Sequence, residues 1–304
     1  MQFRTLESRC GGWGLLVVLL ASAAGCGPAG ALPEGEELAS TKQQVVVGNG
    51  LNLNGLNLNG LNLNGLSLNG LSTQSFQDWF VQDAAQRDEV MKDGVGCAVA
   101  SGETRSFTDP LTGITYTWQG VLWLAPGWAS GAAATTEELQ VVSACMAAHA
   151  NKFGIHVTIS LLGLDGAGQP IPYTSQELVD YDVTEACFFG NLFDGSTGTF
   201  GANDGFALTS GESSPRVCAL PDASGLGQCS PMVYVGNCSQ YCVKDGTGTF
   251  YTSCTYNGVS YRPITTRMAS TDIYTCGDGV CQATESCGTG TTAGSCAADC
   301  GACP

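Results

Sequence analysis

TTEELQVVSACMAAHANKFGIHVTISLL, residues 135–162, reads as one helix followed at once by one buried strand, and the fold is organised around that pair. Thr135-Thr136-Glu137-Glu138 has the form of a capping box: the Thr135 hydroxyl accepts from the Glu138 amide, and the Glu138 carboxylate reaches back to the Thr135 amide. Acidic residues in a first turn also suit the helix dipole. Leu139, Val142, Met146, His149 and Phe153 recur at helical spacing, with Cys145 beside the apolar stripe they make. Gly154 stands where a left-handed C-cap is wanted. Ile155, Val157, Ile159 and Leu161 then alternate with His156, Thr158 and Ser160, the pattern of a strand with one buried face. A turn of only a residue or two between them is expected to lay the helix against the sheet.

The chain has 304 residues, enough for one sizeable domain plus extras. It carries 11 Lys and Arg against 27 Asp and Glu, and its formal charge of -16 argues against a nucleic-acid partner. Only 12% of residues are charged while 43% are hydrophobic, so the chain is not a disordered polyelectrolyte and can bury a core.

Arg4 and Arg9 precede an apolar run from Gly14 to Ala24 that is too short to span a bilayer as a mature helix, which is the pattern of a secretory signal. The run ends Ala23-Ala24-Gly25-Cys26, and this order of charge, apolar segment, small residues and Cys resembles a bacterial lipobox. That resemblance implies that Cys26 becomes an acylated N-terminus, anchored to a membrane by several chains where one would hold only marginally. Gly27 after the Cys implies sorting to the outer membrane. An ordinary cleaved signal, with Cys26 in a disulfide, is the alternative.

Export decides the reading of the cysteines. Beyond the leader lie Cys97, Cys145, Cys187, Cys218, Cys229, Cys238, Cys242 and Cys254, then Cys276, Cys281, Cys287, Cys296, Cys300 and Cys303. Both groups are even in number, and in an exported chain they are expected to form disulfides, whose connectivity is not readable from sequence. One bridge is expected between Cys97 and Cys145, because both lie in apolar helical stretches that should pack together. Cys238-Ser239-Gln240-Tyr241-Cys242 has a spacing that places two thiolates on one helical turn, yet oxidation after export again outweighs metal binding.

Residues 27–44 hold Pro, Gly, Ala and Glu without periodicity and read as a tether. From Asn49-Gly50-Leu51-Asn52-Leu53 to Asn69-Gly70-Leu71-Ser72-Thr73 a five-residue unit recurs five times. Regular Leu with interleaved Asn and Gly resembles the pentapeptide-repeat family, whose coils stack into a β-helix. So few units make little more than one coil, so this piece must dock on the next domain, add an edge strand or stay mobile.

Phe76, Trp79, Phe80, Ala84, Val90 and Met91 predict one or two helices through about Val99. Arg105–Phe107 and Ile114–Trp118 flank Asp109-Pro110-Leu111-Thr112-Gly113 and predict a hairpin, with Gly120 shifting the alternation as a bulge would. Trp118, Trp123 and Trp128 follow; core packing is the expectation, with a sugar-stacking platform as the alternative. Thr174-Ser175-Gln176-Glu177 is a second capping box, predicted to open a helix carrying Leu178, Val179, Val183 and Cys187 and ending in Phe188–Phe193. Residues 194–248 read as loops held by disulfides. Phe250–Tyr256, Asn257-Gly258 and Val259–Ile264 predict a hairpin on a type I′ turn.

The tail opens with Cys276-Gly277-Asp278-Gly279-Val280-Cys281 and continues through Glu285, Cys287, Cys296, Asp299 and Cys300. It resembles the short disulfide repeat of myxobacterial secreted proteins, with residues 288–295 as an insertion that leaves the local pairing open. The resemblance implies a small disulfide knot. Residues 75–275 also look like a domain of uncharacterised proteins of the same lineage, which implies no activity.

These readings combine into an α+β fold, a disulfide-braced core of a few helices packed on a mostly antiparallel sheet, with a short N-terminal repeat coil and a small Cys-rich tail. The expected segments are a lipoprotein signal over residues 1–25, a tether over 26–48, repeats over 49–73, the core over 74–271 and the tail over 272–304. The function expected is a lipid-anchored envelope protein that binds a protein or glycan partner or serves a structural role. A secreted hydrolase acting on envelope or extracellular polymers is the alternative, with His156, His149 and Asp182 as its catalytic candidates and Asp180 as a second orienter. His156 and Ser160 cannot act as base and nucleophile, since side chains four apart on a strand are ~13 Å apart. Asp278, Glu285 and Asp299 are candidate Ca²⁺ ligands, an ion that wants several hard oxygens.

Overall fold

Both halves of the first capping box form: the Glu138 amide donates to the Thr135 hydroxyl at 3.1 Å, and the Thr135 amide donates to the Glu138 carboxylate at 3.0 Å. The computed structural model describes residues 46–48, 51–52, 71, 73–151, 158–194, 198–204, 232–282, 285–292 and 295–304, all within the compact unit Lys42–Pro304.

In chain order the elements begin with strands β1 (Val46–Gly48) and β2 (Leu51–Asn52), then helices α1 (Gln74–Val81) and α2 (Ala84–Ala98). A hairpin, β3 (Thr104–Thr108) and β4 (Thr115–Gln119), leads to α3 (Pro126–Ala129) and the central helix α4 (Thr136–His149). Next come β5 (Ala150–Asn151), β6 (Thr158–Gly163), α5 (Ser175–Asp180), β7 (Val183–Asn191) and β8 (Gly198–Asn203). The second half holds β9 (Met232–Asn237), α6 (Cys238–Tyr241), β10 (Cys242–Lys244), β11 (Tyr251–Tyr256), β12 (Val259–Tyr261) and β13 (Ile264–Met268). The tail carries β14 (Thr291–Thr292), β15 (Ser295–Cys296) and α7 (Ala297–Cys300).

The main sheet has the order β1-β6-β13-β7-β8-β9 and is antiparallel except at β8–β9. Alternate residues of β7 serve opposite faces. Ala186 and Phe188 join the core built on α4, while Cys187 and Phe189 join a second cluster with Phe200, Tyr251, Cys254 and Tyr261 under the β10-β11-β12 sheet. The layers therefore run from α2 and the β3–β4 hairpin, through α4, to the main sheet and then the small one. The fold is α+β, as expected.

Helix α4 departs from the predicted amphipathic form. Every residue from Glu138 to His149 is buried, because α2 and α3 cover the side away from the sheet. The helix ends at His149, not near Phe153, with Ala150 already extended as its C-cap. Ala150–Asn151 then form a strand parallel to Leu51–Asn52, so the connection to β6 is longer than a residue or two. Phe153, Gly154, Ile155, His156 and Val157 lie outside the described residues. In β6 the expected polar face is only partly open to water: Thr158 is exposed, whereas Ser160 is 0% exposed.

Other expectations are revised in the same way. The second capping box forms, with Glu177 N donating to the Thr174 hydroxyl at 3.0 Å, but its helix stops at Asp180. Val183, Cys187, Phe188 and Phe189 are strand residues. A continuous apolar run buried on both faces has no period that separates helix from strand. Within the stretch predicted to be loops, β8 and β9 complete the main sheet; residues 205–231, with Cys218 and Cys229, lie outside the described residues. Gly120 is a point of close approach and not a bulge, for a Cβ there would stand 2.3 Å from the Ala100 carbonyl oxygen.

Both hairpins form. Asn257 and Gly258 have φ of 50° and 77°, the pair of positive values a type I′ turn demands. The strand predicted after that turn is divided: β12 ends at Tyr261, and β13 crosses into the main sheet beyond Pro263. Of the repeats, Leu51–Asn52 add a parallel edge to β5, and residues 53–70 lie outside the described residues.

Among the described residues six disulfides form, three in the core and three in the tail. Cys97–Cys145 ties α2 to α4, as expected, and Cys187–Cys238 and Cys242–Cys254 pack together in the second cluster. The tail pairs Cys276–Cys296, Cys281–Cys300 and Cys287–Cys303, so each of its first three cysteines joins the one three places on.

Glu138 does more than cap its own helix. Its carboxylate also accepts from the amides of Gly127 (2.6 Å) and Trp128 (3.3 Å), so one buried side chain serves the first turns of both α3 and α4. Glu138→Ala leaves the buried Trp128 amide and the part-buried amides of Gly127 and Thr135 without this acceptor and should cost about 2 kcal/mol, read as a lower midpoint in denaturant melts. Gly166→Ala, whose Cβ would meet Glu138 Cγ at 2.4 Å, should destabilise through the same carboxylate.

Candidate functional site

A cleft of about 530 Å³ opens between α2 and the segment that follows β3–β4, a size suited to a small ligand or part of a larger one. Asp88, Lys92, Asp93 and Gly96 line one wall; Thr117, Gln119, Val121 and Leu122 line the other; Trp118 and His149 complete it. Asp88, Lys92 and Gly96 are four residues apart along α2 and so share one face of that helix. Gly96 keeps the wall low, for a Cβ there would come no nearer than 4.0 Å to Gln119 O and Val121 Cγ2.

The opposite wall is held by backbone. The amides of Val121 and Leu122 donate to the Gly96 carbonyl, Leu124 to Cys97, Ala125 to Ala98 and Trp123 to Val99. These are carbonyls that the end of α2 leaves without helical partners, so the strand exit caps the helix and sets the width of the cleft. Trp118 is fixed by its indole N–H, which donates to Asp88 Oδ1 at 2.7 Å. Trp118 and Trp128 are core residues, as expected, whereas Trp123 is 55% exposed at φ 53°.

His149 is the last residue of α4, and its Nδ1 lies 2.7 Å from the Cys145 carbonyl oxygen. A carbonyl only accepts, so Nδ1 is the donor in this bond. The same ring touches the Cys97–Cys145 bridge, at 3.9 Å and 3.7 Å from its two sulfurs. Among the described residues its partners are that carbonyl and those sulfurs, not a Ser, Asp or Glu. Asp182 does not line the cleft; its carboxylate accepts from the Ser270 amide at 2.8 Å. Asp180 holds Gln176, and His156 lies outside the described residues, as does Cys26. The three catalytic candidates are therefore not brought together among the described residues.

No family model, curated protein or solved structure matches this chain.

Four groups of described residues have the spacing of metal ligands, and each contains cysteines already tied in disulfides, Cys97–Cys145 beside His149 among them. In the tail the three proposed Ca²⁺ ligands have backbone partners of their own. Asp299 accepts from the amides of Gly277 and Gly279, Asp278 from Val280 N and Gln282 Nε2, and Glu285 from Gln282 N. Burial, followed by the nearby charges of Asp299 and Asp278, raises the Glu285 carboxyl above the ordinary carboxylate range.

Sequence reasoning missed Asp88, Lys92, Asp93, Thr117, Gln119, Val121 and Leu122. The signal that was present is modest: two charged residues and a glycine at four-residue spacing on α2, facing alternate residues of one strand.

The raised Glu285 value has a sign that can be tested. The folded tail holds this proton at a pH where the unfolded chain has released it, so the folded state binds more protons and stability falls as pH rises. The contribution is whole below the ordinary carboxylate range and is lost as pH climbs through the folded value. Amide exchange at Gln282 should accelerate over that window, and Glu285→Gln should flatten the dependence.

Proposed function

We propose that the chain is an exported, lipid-anchored envelope protein whose core is a binding module, with its ligand held in the cleft between α2 and the β4 exit. The observation that carries this reading is the cleft's chemistry. It offers an imidazole, two carboxylates, an ammonium, a hydroxyl and an amide on largely apolar walls, with no activated nucleophile among the described residues. Such a set orients and holds a ligand.

Export is supported by six disulfides, which persist in an oxidising compartment and rarely in a reducing one. The order of residues at Ala23-Ala24-Gly25-Cys26 supports acylation at Cys26 and placement in the outer membrane. Anchoring and binding are compatible tasks: the leash over residues 27–44 gives the core reach from a surface.

Two measurements test this reading. Mass spectrometry of the envelope fraction should find the mature chain beginning at acylated Cys26, with Cys26→Ser releasing it to the soluble fraction. Gly96→Leu fills the cleft from an open helix position, so the melting temperature should hold while co-sedimentation with isolated envelope polymers falls about tenfold or more. A Gly96→Leu chain that binds as well as its parent refutes the cleft as the site.

A further inference from the structure

We infer that the outward edge of the β3–β4 hairpin and its exit form a binding strip for an uncharged glycan chain, with Trp123 as its stacking anchor. The inference deepens the binding reading above and rests on it.

Along the strand and its exit, Thr115, Thr117, Gln119, Val121 and Trp123 are exposed, while Trp118, Gly120, Leu122 and Leu124 between them are buried. Exposure therefore alternates with a period of two over nine residues, first along β4 and then, beyond Gln119, along its non-extended exit to Trp123. Thr117, Gln119 and Val121 of this row form a wall of the cleft. Across the hairpin, Thr104, Ser106 and Thr108 face the same way, in register with Gln119, Thr117 and Thr115. Ser106 and Thr117 hydroxyls meet at 3.0 Å, and those of Thr108 and Thr115 at 2.9 Å. Each pair uses one donor and one acceptor and leaves a donor and further lone pairs directed at solvent.

No side chain named on this strip is charged, in a chain whose formal charge is -16. Regularly spaced hydroxyls and an amide match a partner that is itself a row of hydroxyls without charge. An exposed indole adds the flat apolar surface on which the C–H face of a sugar ring stacks.

Trp123 is the decisive residue. Its amide caps Val99, and this closure holds its backbone at φ 53°, where Gly or Asn is favoured and a bulky side chain is an outlier. Its ring is more than half exposed, so neither backbone preference nor core packing selects tryptophan there. Contact with something outside the fold does.

The test is affinity electrophoresis of the full processed chain through gels holding neutral glucan, xylan or chitin-derived polymer, with alginate as the charged control. At least one neutral polymer should retard the chain, high salt should not release it, and Trp123→Asn should weaken retardation about tenfold. Asparagine suits the left-handed backbone, so the melting temperature should hold; Trp123→Tyr should keep part of the binding. Failure of every neutral polymer, release by salt, or a Trp123→Asn chain that binds as its parent does overturns the inference. So does sedimentation showing a dimer that Trp123→Asn dissociates while no polymer is retained, which would make the strip a contact between copies. If no glycan binds but Gly96→Leu still abolishes co-sedimentation with envelope polymers, the glycan strip is refuted and the cleft reading stands.

Discussion

From Glu138 to His149 helix α4 has no face in water, and that burial governs the rest of the structure. A helix closed in by a sheet on one side and by helices on the other cannot leave its terminal amides and carbonyls to solvent. Side chains of the helix bond backbone groups at both ends. Glu138 collects amides at the start, and the His149 imidazole donates to the Cys145 carbonyl at the finish. The disulfide from Cys145 to Cys97 then fixes the neighbouring helix, and the end of that helix is in turn capped by the chain leaving β4. The cleft is what remains between these fixed parts, so its walls are set by core packing and not by mobile loops.

How far the sequence foretold this varies with burial. Local signals with a chemical cause held: both capping boxes, both hairpin turns and the α2–α4 bridge are in place. Signals that depend on contrast between a wet face and a dry one failed, because the core offers little contrast. Ser160 looked like surface yet is buried, and the run from Cys187 to Phe189 looked like the end of a helix because both its faces are covered. Strand β8 carries glycine and small residues, so it reads as a loop until its neighbours in the sheet are known; β9, with Val233, Tyr234 and Val235, is strand-like but short and set among Gly- and Cys-rich residues.

The site was less legible than the fold. The Cys97–Cys145 bridge beside His149 was foreseen, but that the ring bonds the carbonyl one turn earlier and borders a cleft against β4 was not. Trp123 was grouped with two core tryptophans. What separates it is a backbone angle imposed by capping α2, a constraint written in carbonyls and amides that every residue shares. The outward alternation from Thr115 to Trp123 was open to inspection, and only Gly120, read as a bulge, obscured it.

The pairing of Val46–Gly48 with β6 has a mechanical meaning. Any tension arriving along the chain from before Val46 enters the fold at the outermost strand of the main sheet, through three residues of ladder. Leu51–Asn52 against β5 is the next contact to take the load, and β5 continues directly from His149. A pull from that side would be felt first at this edge, and then at the very end of the helix whose imidazole borders the cleft.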